Sequence, residues 1–168
     1  MLSSAGADAI FTERSVRGRF PDQVHQGIGW WLGACLVVTQ QASRLAVAHD
    51  GHPVVSEIAA RLCRGAINAQ HYRCQVQYLG HSSTDDFFSA MKASGGACGA
   101  WLDASDDLGV TTVEITLYSR GGLALPPAAL RGIRLLMERD QVPIPVNDAA
   151  RGAIQVSSGD TDPGRIPS

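Results

Sequence analysis

A chain of 168 residues, 45% hydrophobic and 18% charged, is long enough for one domain with a real core and too apolar to be disordered. A formal net charge of −2 and the lack of any basic run exclude general affinity for nucleic acid. Cys35, Cys63, Cys74 and Cys98 form no Cys-x-x-Cys pair, so they read as reduced, buried thiols and not as a disulfide framework or zinc site.

Residues 1–20 read as an irregular lead-in with a short strand near Ala9 to Phe11. Within it Arg14, Arg17 and Arg19 form a solvated group with the charge to hold one phosphate. Pro21 and Asp22 open a helix to about Gln40, with Ile28, Trp31, Leu32 and Cys35 on one face. Its apolar run is too short to span a bilayer, which points to a buried helix in a cytoplasmic protein. Leu45 to Ala48 is a short apolar strand stopped by turn chemistry at His49, Asp50, Gly51, His52 and Pro53. Ser56 is the expected cap of a second helix, Glu57 to about Gln70. Cys74 to Leu79 alternates as a strand and ends at Gly80. Thr84 is then placed to cap a helix from Asp85 to Ala93, with acidic residues in its first turn as the helix dipole prefers. Gly96 to Leu102 reads as a buried strand, and Asp103 to Leu108 as a loop after it. Val113 to Tyr118 alternates again after a connection too short for a crossover helix, so it is expected to return antiparallel at a sheet edge. Pro126 and Pro127 start a last helix to about Arg139. Residues 141–168, rich in Pro, Gly, Asp and Ser, read as a flexible C-terminal tail.

This order of elements predicts an α/β fold, a three-layer α/β/α sandwich with a mixed, mainly parallel sheet. Three loops then gather at one sheet edge, where ligands bind in such folds: His49 to Pro53, Gly80 to Thr84, and Asp103 to Leu108. Ser105 is presented there as a candidate nucleophile or phosphate carrier, among Asp103, Asp106 and Asp107, whose charges oppose a dianion. Asp103, Ser105 and Asp107 are an oxygen set suited to magnesium, against the plainer reading of a solvated acidic turn. His49, Asp50 and His52 carry the donors of a transition-metal site, against a hydrogen-bonded loop. Trp30, Trp31, Phe87 and Phe88 are core or interface residues, and the tryptophan pair points to a covering partner chain.

Several of these markers, in this order, resemble domain I of the α-D-phosphohexomutase family, the phosphomannomutases and phosphoglucomutases. That domain opens with Phe and then Tyr-Asp-Ile-Arg-Gly, where this chain has Phe11 and then Arg14, Ser15, Val16, Arg17 and Gly18. A family strand ending Val-Gly-Arg-Asp-x-Arg is matched by Val47, Ala48, His49, Asp50, Gly51 and His52. Gly65 with Ala66, Leu79 with Gly80, and Thr84 match later family markers. The family's catalytic loop, Gly-x-x-x-Thr-Ala-Ser-His-Asn-Pro, falls on Gly99 to Leu108. The resemblance covers about residues 8–140 and places a phosphohexomutase domain I-like unit over 1–140.

The resemblance implies that Ser105 is the catalytic phosphoserine, that Arg17 contacts a sugar phosphate, and that Mg2+ stabilises the phosphate. The departures cut the other way. The His, Asn and Pro after the serine are Asp106, Asp107 and Leu108; the later motif's lysine falls at Thr116. Phosphoryl transfer relies on positioned cations, and here carboxylates or neutral groups replace them. The family's further domains, with their metal loop, sugar site and phosphate cradle, have no counterpart in these residues. The expected function is therefore a stand-alone domain I-like protein without independent mutase activity. It would act as a binding or interaction domain linked to sugar-phosphate metabolism, as a homodimer or docked on a larger mutase-like protein. The alternative is a phosphotransferase component, with Ser105 phosphorylated and the other domains supplied by a separate chain.

Overall fold

A computed structural model of the chain describes residues 10–69, 73–93, 95–142 and 151–157. Its strands are β1 (Val16–Phe20), β2 (Arg44–His49), β3 (Gln75–His81), β4 (Cys98–Asp107), β5 (Val110–Tyr118) and β6 (Ala153–Val156). Its helices are α1 (Ile28–Gln40), α2 (Pro53–Ile67), α3 (Thr84–Ala93) and α4 (Pro127–Glu138). The strands form one mixed sheet in the order β1-β5-β4-β2-β3-β6. β4, β2, β3 and β6 are parallel, while β5 runs antiparallel to both β4 and β1.

Side-chain alternation divides the sheet into two unequal faces. Leu45, Val47, Val76, Tyr78, Ala100, Leu102, Val113 and Ile115 join the large core under α1, α2 and α4. The residues between them face the other way. There, among the described residues, α3 alone lies on the sheet, with Phe87 and Met91 packed on Ala46, Ala48 and Trp101. The result is the expected three-layer α/β/α sandwich, with one layer a single helix thick.

α1 and α2 pack backbone to backbone because each offers glycines at the crossing. A Cβ on Gly29 would stand 2.3 Å from the Ile58 carbonyl oxygen, and one on Gly33 2.0 Å from that of Leu62. On the α2 side, a Cβ on Gly65 would meet the Trp30 carbonyl oxygen at 1.9 Å. α1 is apolar nearly all round, as a helix enclosed by sheet and helices must be.

Several expectations are corrected. Ile10 is helical and Phe11 makes only an isolated bridge to Val16, so of the strand expected near Ala9 to Phe11 neither of these two residues is part, Ala9 lying outside the described residues, and the first strand is β1 at Val16–Phe20. Arg17 and Arg19 therefore lie on a strand and not in a loop. α1 begins at Ile28, after turns over 21–27. α2 begins at Pro53 and is capped by His52, whose side chain accepts the Val54 N–H; Ser56 sits inside the helix, and Gln70 lies outside the described residues. Ser83, not Thr84, caps α3: its hydroxyl accepts the Asp86 N–H at 3.1 Å. β5 pairs antiparallel with β4, but β1 lies outside it, so β5 is not an edge strand. Residues 153–156, read as tail, form β6 beside β3; residues 143–150 and 158–168 lie outside the described residues.

The outer edge of β1 is closed by the chain itself. Gln23 Oε1 accepts the Arg19 N–H at 2.8 Å, and the Arg19 carbonyl accepts the N–H groups of Gln23 and Val24. This blunts an edge that would otherwise invite pairing. The four cysteines are free and buried, and burial pushes the thiols of Cys35 and Cys74 up to about 12. None is a ready thiolate.

Candidate functional site

The helices that follow neighbouring strands β2 and β3 leave to opposite faces of the sheet, α2 into the large core and α3 onto the other side. The carboxyl ends of those strands thus form the crevice where open α/β sheets place their sites. Into it come His49, Asp50, Gly51 and His52 after β2, His81 at the end of β3, and the projecting β4–β5 hairpin.

The hairpin is the largest departure from the sequence reading. Asp103 to Asp107 is not a loop. β4 continues through it, and the pairs run unbroken from Gly99↔Tyr118 through Asp103↔Glu114 and Ser105↔Thr112 to Asp107↔Val110. The turn is only Leu108 and Gly109, both with positive φ (49° and 78°), the pattern of a two-residue type I′ hairpin. Aspartate and serine are depleted from strands, yet pairing with the Thr- and Val-rich β5 overrides that preference.

Ser105 therefore sits on the exposed, polar face of a strand, opposite Thr112. Asp103, Ser105 and Asp107 share that face at steps of two residues. In an extended strand each step is roughly 6.6 Å, so Asp103 and Asp107 stand about 13 Å apart and cannot hold one cation between them. These residues do not fit a bound Mg2+. Among the described residues no group of three His, Cys, Asp or Glu is arranged to hold a metal.

Arg17 lies two strands away from Ser105. It is opposite Glu114 on β5, and its guanidinium makes an ion pair with that carboxylate at 3.2 Å. The other Glu114 oxygen accepts the Ser15 hydroxyl at 2.9 Å. A row Arg17, Glu114, Asp103 thus crosses three strands. Burial, then the charges of Glu114 and Asp50, raise the Asp103 carboxyl above its ordinary value. A carboxyl that holds its proton more tightly in the folded state costs stability as pH rises through that raised value, and the cost persists above it. Asp103→Asn is expected to raise the melting temperature at pH 7, with the gain disappearing in acid, where Asp103 is protonated in both states.

The His49 to Pro53 turn clips the hairpin in place. Beyond Leu102, whose carbonyl accepts the Asp50 N–H, β4 outruns β2 and has no strand on that side, while β5 still pairs its other edge. Asp50 substitutes: its carboxylate accepts the Ala104 N–H at 3.0 Å and the His52 N–H at 2.9 Å. Further along, His52 Nε2 meets Asp106 Oδ2 at 3.0 Å. Because His52 Nδ1 accepts a backbone N–H, the ring proton belongs on Nε2, donating to Asp106. The Thr111 hydroxyl, then His52, hold the Asp106 carboxyl below its usual value.

His49 and His52 do not converge on a metal. The buried His49 ring accepts the Gly51 N–H on Nδ1 and shares its Nε2 with the Tyr78 hydroxyl at 3.1 Å, while His52 turns away to Asp106. His81 is a site residue that sequence reasoning missed. Its register against β2 slips at Val47/Ala48, leaving Leu79 as the extra residue of a bulge, and the ring then stacks on His49 at 6.5 Å with 13° between planes. Gly80, with φ of 71°, was the available signal, since a glycine inside a strand marks such bulges. Trp30 and Trp31 are half-buried and meet edge to face, Phe87 is core, and Phe88 is 38% exposed.

The architecture defines a class: an α/β/α domain with a mixed sheet whose parallel strands end at a ligand-type crevice. The family model of the phosphoglucomutase/phosphomannomutase alpha/beta/alpha domain I matches residues 8–142, and the chain belongs to that family. Its fold is similar to a phosphoglucomutase/phosphomannomutase family protein from Burkholderia thailandensis, with a TM-score of 0.73 and 17% identity over 93% of this chain and 33% of that one. It is also similar to the exocytosis-sensitive phosphoprotein pp63/parafusin (phosphoglucomutase) from Paramecium, with a TM-score of 0.61 and 12% identity over 87% of this chain and 32% of that one. The chain thus spans about a third of the solved structures it resembles. No curated protein sequence matches it. Among the described residues no helix is long and apolar enough to cross a membrane.

Proposed function

We propose that this domain serves sugar-phosphate metabolism as a binding or interaction domain and does not itself carry out phosphoryl transfer. One observation carries the reading: the segment aligned with the family's phosphoserine loop is here a strand of a tight hairpin. A phosphoryl carrier must be presented to a substrate with cations aimed at the developing charge. Ser105 instead has Asp103 and Asp107 on its own strand face. Arg17, the one cation kept from the family's opening motif, is engaged by Glu114. Fold alone does not transfer activity, and these residues argue against it.

The test is intact mass after incubation with glucose 1,6-bisphosphate and Mg2+. The expected result is an unmodified chain. Addition of one phosphoryl group, lost in Ser105→Ala, would overturn the proposal in favour of a phosphotransferase component that borrows its remaining domains from another chain.

A further inference from the structure

The turn that clips the hairpin is held by three side chains, each accepting the N–H of the residue two positions on. His49 Nδ1 accepts from Gly51 at 3.0 Å, Asp50 Oδ1 from His52 at 2.9 Å, and His52 Nδ1 from Val54 at 3.2 Å. Asp and Asn are the usual residues for such a bond. An imidazole makes it only while neutral, because protonation turns the Nδ1 lone pair into a second N–H that faces the one it had accepted.

His49 is the more demanding of the two rings. It is 1% exposed, and with Nδ1 accepting, its proton lies on Nε2 and is donated to the Tyr78 hydroxyl at 3.1 Å. Burial itself disfavours the charged ring. From β3 the His81 ring stacks on it at 6.5 Å, and a charge there would repel a second one on His49. Its partner in register on β4 is Leu102, and the side chains α2 buries at this end, Val55, Ser56, Ile58 and Ala59, are uncharged. Gly51 has φ of 93°, and a Cβ on it would stand 2.9 Å from the His81 ring. Packed that closely, Gly51 has little room to turn its N–H away from a charged His49 with the turn still closed.

The other titratable groups around the turn compensate or act the opposite way. A charged His52 loses the Val54 N–H but keeps Asp106 as an ion-pair partner. Asp106 is held below its usual value, so it stays charged in mild acid. Asp103, held above its usual value, favours the closed hairpin as pH falls. Asp50 is turned to the Ala104 and His52 N–H groups.

We propose that the His49 to Pro53 turn is an acid-released latch on the β4–β5 hairpin, closed while His49 is neutral and opened when it takes a proton. Opening withdraws Asp50 from the Ala104 N–H, so the hairpin loosens at the crevice while the sheet beneath stays paired. The stabilisation from a ring buried neutral is fully present above the ordinary imidazole value of about 6.5 and is lost as pH falls below it.

Amide hydrogen exchange at pH 7 and pH 5, expressed as protection so that the intrinsic pH dependence of exchange drops out, tests the latch. Protection at Gly51 and Ala104 is expected to fall roughly 20-fold, the factor for an opened turn whose imidazole titrates at about 6.5 and a closed one that stays neutral. Amides of the β2–β3 ladder should keep theirs. His49→Asn supplies an acceptor that takes no charge in this range, so its Ala104 protection should be flat. His52→Asn, also a good cap, should retain the fall. In the wild type, imidazole 15N shifts should show His49 as the neutral Nε2–H form at pH 6, a readout that needs no variant to fold. Flat protection in the wild type, a fall that persists in His49→Asn, or a His49 ring mostly charged at pH 6 overturns the proposal. None of these readouts involves phosphoryl transfer, so the outcome is separate from that of the mass assay.

Discussion

Gly65→Ala is expected to lower stability by about 3 kcal/mol or more, the upper range for overpacking. For a domain of this size that is a fall of roughly 6–12 °C in melting temperature. The added methyl would sit 1.9 Å from the Trp30 carbonyl oxygen and 2.8 Å from its Cα. Those are backbone atoms, which cannot swing aside as a side-chain tip can. α1 and α2 must therefore separate, and the core beneath them, including Leu32, Ile58 and Leu62, loses contacts along the whole crossing. An alanine gains some helix propensity over glycine, about 1 kcal/mol, which is too little to offset the clash. Thermal unfolding followed by circular dichroism reads the result. Gly132→Ala on α4 is the control, since a Cβ there meets nothing within 4 Å and should leave stability unchanged or slightly raised.

Asp50→Ala is the second large effect, and it falls on the site. The carboxylate accepts two backbone N–H groups, Ala104 on the hairpin and His52 at the cap of α2. Hydrogen bonds to a charged group contribute about 1.5–3 kcal/mol, and their loss leaves backbone donors without that partner. We expect a loss of about 2–3 kcal/mol, read as a drop of roughly 4–12 °C in melting temperature. The fold survives, because these bonds lie at the carboxyl end of the sheet and are not part of the large core. The distinctive signature is local: the Ala104 amide should exchange much faster with solvent, while amides of the β2–β3 ladder keep their protection. Asp50→Asn should retain part of the stability, since an amide oxygen still accepts.

The parts of the fold legible in the sequence are those where local pattern and tertiary demand agree. α3 and α4 begin within a residue of the expected positions because acidic residues or proline mark their first turns. β2, β3 and β5 follow from alternation or apolar runs. β1 was hidden by its own pattern: Val16, Gly18 and Phe20 alternate with Arg17 and Arg19, which is a half-buried strand, but the arginines read as a cluster. His52 was missed as a cap because the residue types that favour that position led to Ser56. The hairpin was missed for a deeper reason. Its strand character comes from pairing with β5, and no local preference of Asp103, Ser105, Asp106 or Asp107 encodes it. Nor does Leu108 advertise a turn that needs left-handed φ. The family resemblance correctly placed the chain in its family, but it carried with it a loop that these residues no longer form.

Whether this domain can carry a phosphoryl group turns on the state of Ser105, and NMR of the folded protein measures that state directly. A strand position predicts extended-backbone chemical shifts from Asp103 to Asp107 and cross-strand nuclear Overhauser contacts between Ser105 and Thr112, with a sharp turn at Leu108 and Gly109. Loop-like shifts across Asp103 to Asp107, with no contact between Ser105 and Thr112, would contradict it.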